Sequence, residues 1–417
     1  MKLFIVLCLV AVALAKHSPL TDVLQSPSAT AKLYKEFKNQ EHLAFNNVED
    51  QLRFRIFRST AKMVAAENEK DEETAEFALN FFSAMTPNEK SSYLGLNVTG
   101  HTMNALPALS SSGVGAPVEK LWTSEGKVTA VKNQGGCGSC WTFGAIGGLE
   151  TRYASVSGKL RNFAEQEWLD CVYPSRDGCQ GGWPSDCYDY SKANGGRLAS
   201  AAHYTYVQSD GSCKSASKPD DMISAKISGY QSVGASEAAN IEALATGALS
   251  VAFEVTNKFQ QYSSGIIRDT TCTGRPNHAV TAVGYTANFV LVKNSWGATW
   301  GDSGFVKFSR NYGNCGLFDY SSYPLLSNTG ATDSTPSDAA AHYDPGNDDG
   351  PAPTSAPDCF DDFGAANCAS YVNKGYCAYD WFVEDYCMES CGGCTSGDCP
   401  SGTIKCDDGV CRHEHMC

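Results

Sequence analysis

Residues 133 to 144 read Asn-Gln-Gly-Gly-Cys-Gly-Ser-Cys-Trp-Thr-Phe-Gly, and this stretch constrains the chain more than any other. Three glycines in the four residues 135 to 138 mark a tight turn that a helix or strand interior would not carry. From Cys140 to about Ser157, apolar residues recur at Trp141, Ile146, Leu149 and Tyr153 with roughly helical spacing. The pattern predicts a helix that opens at Cys140, directly after the turn. A thiol at a helix N-terminus sits where the thiolate, the nucleophilic form, is favoured.

Two residues far downstream fit that thiol. His278 follows 138 residues later in Pro-Asn-His-Ala-Val, and Asn294 follows His278 by 16 residues in Lys-Asn-Ser-Trp-Gly. Such separations are expected when Cys, His and Asn meet only in the fold. Gln134, six residues before Cys140, carries a side-chain amide that can join the Cys140 backbone N–H in holding an oxyanion.

Gln134 to Phe143, Cys179-Gln-Gly-Gly182, Asn277-His-Ala-Val280 and Asn294-Ser-Trp-Gly297 together resemble the papain-type cysteine peptidases of the cathepsin L group. The resemblance covers about residues 116 to 324. It implies an α+β fold of two lobes, a helical left lobe carrying Cys140 and a β-barrel right lobe carrying His278 and Asn294. The β-branched and aromatic runs Ala279–Tyr285 and Phe289–Val292 agree with strands in the second lobe. It further implies a Cys140 thiolate paired with a His278 imidazolium, Asn294 orienting the ring, and Trp296 shielding the His278–Asn294 hydrogen bond. Disulfides Cys137–Cys179, Cys171–Cys213 and Cys272–Cys315 follow from the same resemblance, which leaves Cys187 without an evident partner. An inert buried thiol, an intermolecular disulfide and a bond to the tail all stay open for it. His203 reads as a surface or structural histidine.

By the same resemblance, Gly181 and Gly182 expose backbone to an extended substrate, and Trp183, Pro184, Ala252, Ala279 and Tyr320 line the pocket for the second residue on the acyl side of the scissile bond. This pocket is apolar, and Tyr320 stands where relatives often have a smaller side chain. Val, Leu or smaller groups are therefore expected over Arg. The spacing after Cys179 leaves no room for an occluding insertion, so an endopeptidase is expected. Neither a cofactor nor a metal is implied; the expected partners are protein and peptide substrates, the chain's own propeptide and cystatin-type inhibitors, acting on a monomer.

Lys2 followed by the apolar run Leu3–Val12 and Ala13-Leu-Ala15 reads as a secretory signal over 1–15. No other apolar run is long enough for a bilayer crossing. Of 19 cysteines only Cys8 leaves with the signal, so disulfides are the default for the rest in an oxidising route. A lysosome, a digestive vacuole or the extracellular space is the expected destination. Residues 1–115 carry 11 Lys+Arg against 12 Asp+Glu, residues 116–324 carry 18 against 18, and residues 325–417 carry 3 against 16. Almost the whole net charge of −14 thus lies in the tail, and no segment has the basic surplus of a nucleic-acid groove.

Residues 16–115 read as an inhibitory propeptide. Helical patterning runs from 31 to 69, and Glu49, Arg53, Phe57, Val64 and Asn68 fall on the spacing of the helix motif of cathepsin L-type proregions, with Thr60 where Asn is expected. Asn80 and Phe82 match a second proregion motif, but Ala78 and Ala84 replace its Gly and Asp. The missing acid at Ala84 leaves the acid trigger unassigned. An extended piece around Leu94–Pro107 is expected to run through the cleft in the reverse of substrate direction, and maturation is expected near Gly115-Ala-Pro117. Asn97 opens the sequon Asn-Val-Thr, an N-glycosylation site on the removable part.

Beyond Pro324, residues 325–357 have linker composition. Six cysteines then recur from Cys359 to Cys394, too densely for a hydrophobic core. Asp358-Cys359, Gly375-Tyr-Cys377 and Ser390-Cys-Gly-Gly-Cys394 make residues 358–394 resemble an ShK-type module, which implies Cys359–Cys394, Cys368–Cys387 and Cys377–Cys391. Channel block is not expected, because the interval between the third and fourth cysteines holds no lysine. Tethering of a substrate or partner through Trp381 and Phe382, or a plain disulfide knot, remains. Residues 395–417 form a Cys-rich extension whose Cys399, Cys406, Cys411 and Cys417 favour two further disulfides over a zinc site with His413 and His415.

Overall fold

The computed structural model describes residues 18–70, 74–96, 108–113, 115–175, 177–215, 222–223, 225–310, 312–327, 338 and 340, with two short strands at 404–405 and 411–412. The signal, Asn97 and the ShK-like module with its cysteines lie outside the described residues.

The chain begins with α1 (Pro19–Leu24), α2 (Pro27–Gln40) and α3 (Asn47–Asn68), then β1 (Thr74–Phe77) and α4 (Pro87–Ser91). The helical pattern over 31–69 is therefore two helices, not one. His42 takes a left-handed φ of 54°, and the Asn46 side chain accepts the Glu49 N–H to start α3 afresh. One face of α3 buries Leu52, Ile56, Phe57, Ala61 and Val64, and Phe57 packs with Leu33, Tyr34, Phe37 and Ala84. Asn68, at the helix end, clasps Phe77 through both its amide oxygen and nitrogen at 2.8 Å, which turns the chain into β1.

The helical lobe follows β2 (Lys120–Leu121). It comprises α5 (Cys140–Ser157), α6 (Glu165–Cys171), α7 (Pro184–Ala193) and the pair β3 (Leu198–Ala199) and β4 (Met222–Ile223). Helix α5 spans the stretch its spacing predicts and ends at Gly158, in the left-handed region at φ 70°. It is buried nearly all round, in a core with Trp168, Cys187, Tyr188 and Leu198. Cys187 has no disulfide partner among the described residues and is wholly buried.

The sheet lobe comprises β5 (Ile227–Val233), α8 (Glu237–Leu244), β6 (Leu249–Phe253), α9 (Asn257–Gln260), β7 (Tyr262–Ile267), β8 (His278–Tyr285), β9 (Phe289–Lys293), β10 (Phe305–Ser309) and β11 (Tyr320–Leu326). Nine strands form one sheet in the order β1-β7-β10-β9-β8-β6-β11-β5, with β2 on β8. Strand β1 comes from the N-terminal segment and pairs antiparallel with β7 at one edge. At the other edge Leu109 forms a parallel bridge to Val233 of β5. The segment before residue 116 thus covers both exposed edges of the sheet.

The two lobes meet closely because α5 carries glycines on the face toward β8. A Cβ at Gly144 would stand 3.1 Å from the Val280 nitrogen, and one at Gly147 would collide with Thr281 Oγ1 at 2.1 Å. Strand β11 continues to Leu326, two residues past the expected domain end. Within the expected linker, the Asp338 N–H donates to Leu160 O (3.0 Å), its carboxylate accepts the Asn162 N–H (2.7 Å), and Ala340 bridges Thr129. In the tail, β12 (Ile404–Lys405) pairs antiparallel with β13 (Cys411–Arg412). Among the described residues no helix is long and apolar enough to cross a membrane.

Candidate active site

Cys140 is the first residue of α5, unpaired and fully buried. Backbone N–H groups of Ala279, Gly95, Trp141 and Cys140 itself offset part of the burial that raises its thiol. The Ala279 contact brings the start of β8, and with it His278, against the nucleophile helix. His278 is also fully buried, and its Nε2 lies 2.9 Å from Asn294 Oδ1. Its other ring nitrogen, Nδ1, has no hydrogen-bond partner among the described residues. Burial pushes the Cys140 thiol up to about 11 and the His278 imidazole down to about 4, the latter opposed in part by Asn294. In this form of the protein both groups are neutral at pH 7.

Trp296 lies over the His278 ring, centroids 4.8 Å apart at an interplanar angle of 32°. Its indole is 1 % exposed and is flanked by Phe259, Trp300 and Phe82. Water is thereby kept from the His278–Asn294 bond, which lowers the local dielectric around it.

Gln134 is held by its own backbone and side chain. Its N–H donates to Ser295 O (2.8 Å), and its Oε1 accepts from Ser295 Oγ (2.7 Å). That leaves Nε2 to donate to Cys137 O (2.9 Å) and to Tyr93 O (3.0 Å). Just before the loop, the half-buried Lys132 pairs with the buried Glu150 (2.8 Å) and Glu165 (2.6 Å), an ion cluster that anchors the loop's start. The disulfide Cys137–Cys179 ties the loop to the turn that precedes Gly181 and Gly182; Cys171–Cys213 and Cys272–Cys315 are also formed. Asp269 lies beside Cys272 and Cys315, but both sulfurs are engaged in their disulfide and cannot serve a metal.

The N-terminal segment occupies the cleft. Leu94, Gly95 and Leu96 begin the stretch expected there, and residues 97–107 lie outside the described residues. The Gly182 N–H donates to Gly95 O (2.9 Å), the Leu96 N–H donates to Asn277 O (3.2 Å), and Leu96 pairs with Gly182 in parallel. Gly95 has to be glycine here: a Cβ would stand 1.7 Å from Gly138 O. Gly181, at φ 101°, presents its backbone to the same segment.

The residues expected to line the pocket come from three adjacent strands and one helix start. Tyr320 of β11 is in register with Ala252 of β6, which is in register with Ala279 of β8. The Trp183 ring meets Tyr320 edge-on at 5.4 Å, and Pro184 opens α7 beside it. Tyr320 remains 38 % exposed, the outer wall of this row.

Two functional features, Tyr93 and Glu89, had no sequence signal. Tyr93 enters only through its carbonyl, which any residue could supply. Arg53 is 5 % exposed and bonded to Glu49 (3.0 Å), Ala84 O (2.9 Å) and both carboxylate oxygens of Glu89. Glu89 therefore provides a carboxylate for Arg53, while Ala84 contributes a backbone carbonyl.

Fold and site together define a cysteine peptidase made as a proenzyme. The chain belongs to the papain family: the family model for papain family cysteine proteases matches residues 116–325, and that for the cathepsin propeptide inhibitor domain (I29) matches residues 34–89. It is 36 % identical to digestive cysteine proteinase 2 of Homarus americanus over 67 % of this chain and 89 % of that one. It is 34 % identical to pro-cathepsin H of Mus musculus over 72 % of this chain and 95 % of that one. Among solved structures, the digestive procathepsin L2 proteinase from Tenebrio molitor larval midgut superposes with a TM-score of 0.65 at 33 % identity, covering 70 % of this chain and 99 % of that one.

Proposed function

We propose that residues 116–324 are a cathepsin L-like endopeptidase held inactive by residues 16–115, with Cys140 as nucleophile. The observation that carries this reading is the occupation of the cleft: the chain's own Tyr93 carbonyl takes the Gln134 amide while its Gly95 carbonyl takes the Gly182 N–H. A segment so placed denies substrate both groups at once.

Once the segment is removed, Cys140 and His278 gain solvent, and the unpartnered Nδ1 of His278 becomes the natural partner for the thiol proton. The thiolate attacks the substrate carbonyl carbon, forming an S–C bond and an oxyanion held by Gln134 Nε2 and the Cys140 N–H. Collapse breaks the C–N bond, and His278 gives its proton to the leaving amine. Water, deprotonated by His278, then hydrolyses the thioester and restores Cys140. Asn294 holds the ring in position throughout, and Trp296 keeps that hydrogen bond dry.

Specificity rests on the row Tyr320, Ala252 and Ala279 with Trp183 and Pro184, an apolar pocket that suits Val, Leu or smaller side chains. The signal-like N-terminus fits delivery through the secretory pathway to a lysosome, a digestive vacuole or the outside of the cell. Cystatin-type inhibitors would enter the same cleft of the monomer, and the ShK-like module would tether a substrate or partner. The test is to acidify the purified precursor and follow a fluorogenic peptide. Wild type should gain thiol-dependent activity and Cys140→Ala none; equal activity in both would refute the reading.

A further inference from the structure

The loop bearing Gln134 and the helix bearing Cys140 are joined by a third residue, Tyr206. Its hydroxyl lies 2.7 Å from the Gln134 carbonyl oxygen and 2.6 Å from Ser139 Oγ. A phenol has one proton and a carbonyl none. Only one assignment places a proton in both short contacts: Ser139 Oγ–H donates to Tyr206 Oη, and Tyr206 Oη–H donates to Gln134 O. The alternative acceptor for Ser139, Cys137 O, is farther away at 3.4 Å. Phe143, in the first turn of α5, holds the phenol ring edge-on at 4.9 Å and 89°.

The direction of this chain matters for Cys140. Ser139 is the N-cap of α5, and a serine there ordinarily accepts from the backbone N–H two or three residues on. Here its side chain makes no such bond, and its backbone sits at ψ 9° instead of the extended value usual for a cap. The residue two on is Trp141, whose N–H is among the backbone groups that favour the Cys140 thiolate against burial. A capping Ser139 hydroxyl would compete for that N–H. Tyr206 engages the hydroxyl elsewhere and, through Gln134 O, fixes the oxyanion loop to the same point. Burial also raises the Tyr206 phenol well above its ordinary value, so it keeps its proton.

We propose that Tyr206 is a positioning residue of the peptidase: it locks the Gln134 loop to the N-cap of the nucleophile helix and keeps the Ser139 hydroxyl away from the Trp141 N–H, reserving that donor for the Cys140 sulfur. The proposal rests on the assignment of Cys140 and Gln134 given above.

The test uses the enzyme activated from the full-length precursor and three variants, Tyr206→Phe, Ser139→Ala and the double substitution, with Cys140→Ala as control. Tyr206→Phe keeps the ring and its contact with Phe143. It should lower kcat about tenfold with KM changed less than about twofold, the scale of one or two hydrogen bonds to a positioned group. It should also move the pH profile of Cys140 alkylation upward, because the released Ser139 hydroxyl can now cap Trp141. Adding Ser139→Ala should return the alkylation profile toward wild type while kcat stays low. An unchanged kcat in Tyr206→Phe, or an alkylation profile identical in the Tyr206→Phe and double variants, would overturn the proposal. Full activity in Cys140→Ala would instead overturn the nucleophile assignment on which it rests.

Discussion

The Phe82 ring stands edge-on to the Trp296 indole, centroids 4.8 Å apart at 70°, and the same indole lies 4.8 Å from the His278 ring. The inhibitory segment therefore rests on the side chain that roofs the candidate base. Phe82 is fully buried and sits in a cluster with Phe81 and Tyr93, while Asn80 and Ser83 bond Gln260 O and Gln261 Oε1 at 2.8 Å on either side of it. Docking and concealment of the site are one contact.

Phe82→Ala should thus weaken the hold of the propeptide by about 3–5 kcal/mol, the usual cost of a buried Phe-to-Ala change. At pH 7 the variant precursor should cleave a fluorogenic peptide at least about a hundredfold faster than the wild-type precursor. Mature enzymes from both should be indistinguishable.

Much of this arrangement was legible in the sequence, and the reason is local. The glycine-rich turn before Cys140 and the apolar spacing after it depend on near neighbours, and α5 begins and ends where they predict. Strands β8 and β9 likewise follow from β-branched runs. What stayed hidden depends on partners far along the chain. Residues 74–77 become a strand because the edge of β7 is there to receive them, and Leu109 pairs because β5 ends the sheet. Helical spacing over 31–69 concealed the break at His42, since the apolar period resumes beyond it. Tyr206 lies 72 residues from Gln134, and nothing near it in sequence marks its role.

Glu89 is the carboxylate through which acid should loosen the propeptide. Burial alone would raise its carboxyl, but the Arg53 and Thr86 hydrogen bonds outweigh burial and hold it below the ordinary 4.5. A depressed carboxyl contributes stability above its ordinary value and loses it as pH falls through the folded value, so release of the propeptide belongs below about pH 4.5. Glu89→Gln should remove about 1–2 kcal/mol from the precursor near neutrality, a figure discounted for the carboxylate's partial exposure. Autoactivation followed across pH should begin at a higher pH in the variant. An unshifted activation profile would remove Glu89 from the trigger.

The pocket argument turns on Tyr320, which closes the row against Trp183. Tyr320→Ala should open that wall and raise kcat/KM for peptides with Phe at the second acyl-side position by at least about tenfold, the gain from burying part of an aromatic ring. Peptides with Val there should gain little. A peptide library in which wild type already favours Phe or Arg would contradict the role given to Tyr320.

The claim on which everything else depends is that Cys140 is the nucleophile and that the propeptide conceals it. In the precursor the thiol is wholly buried and held near 11, and removing the propeptide should lift that burial and free the thiolate. The direct measurement is alkylation of both forms with a thiol-directed epoxide at pH 6, followed by peptide mass mapping and residual activity. Mature enzyme should take a single adduct at Cys140 and lose activity in proportion, while the precursor, and the buried Cys187 in either form, stay unmodified. Equal labelling of Cys140 in the precursor, or full labelling of Cys140 with activity retained, would contradict the account.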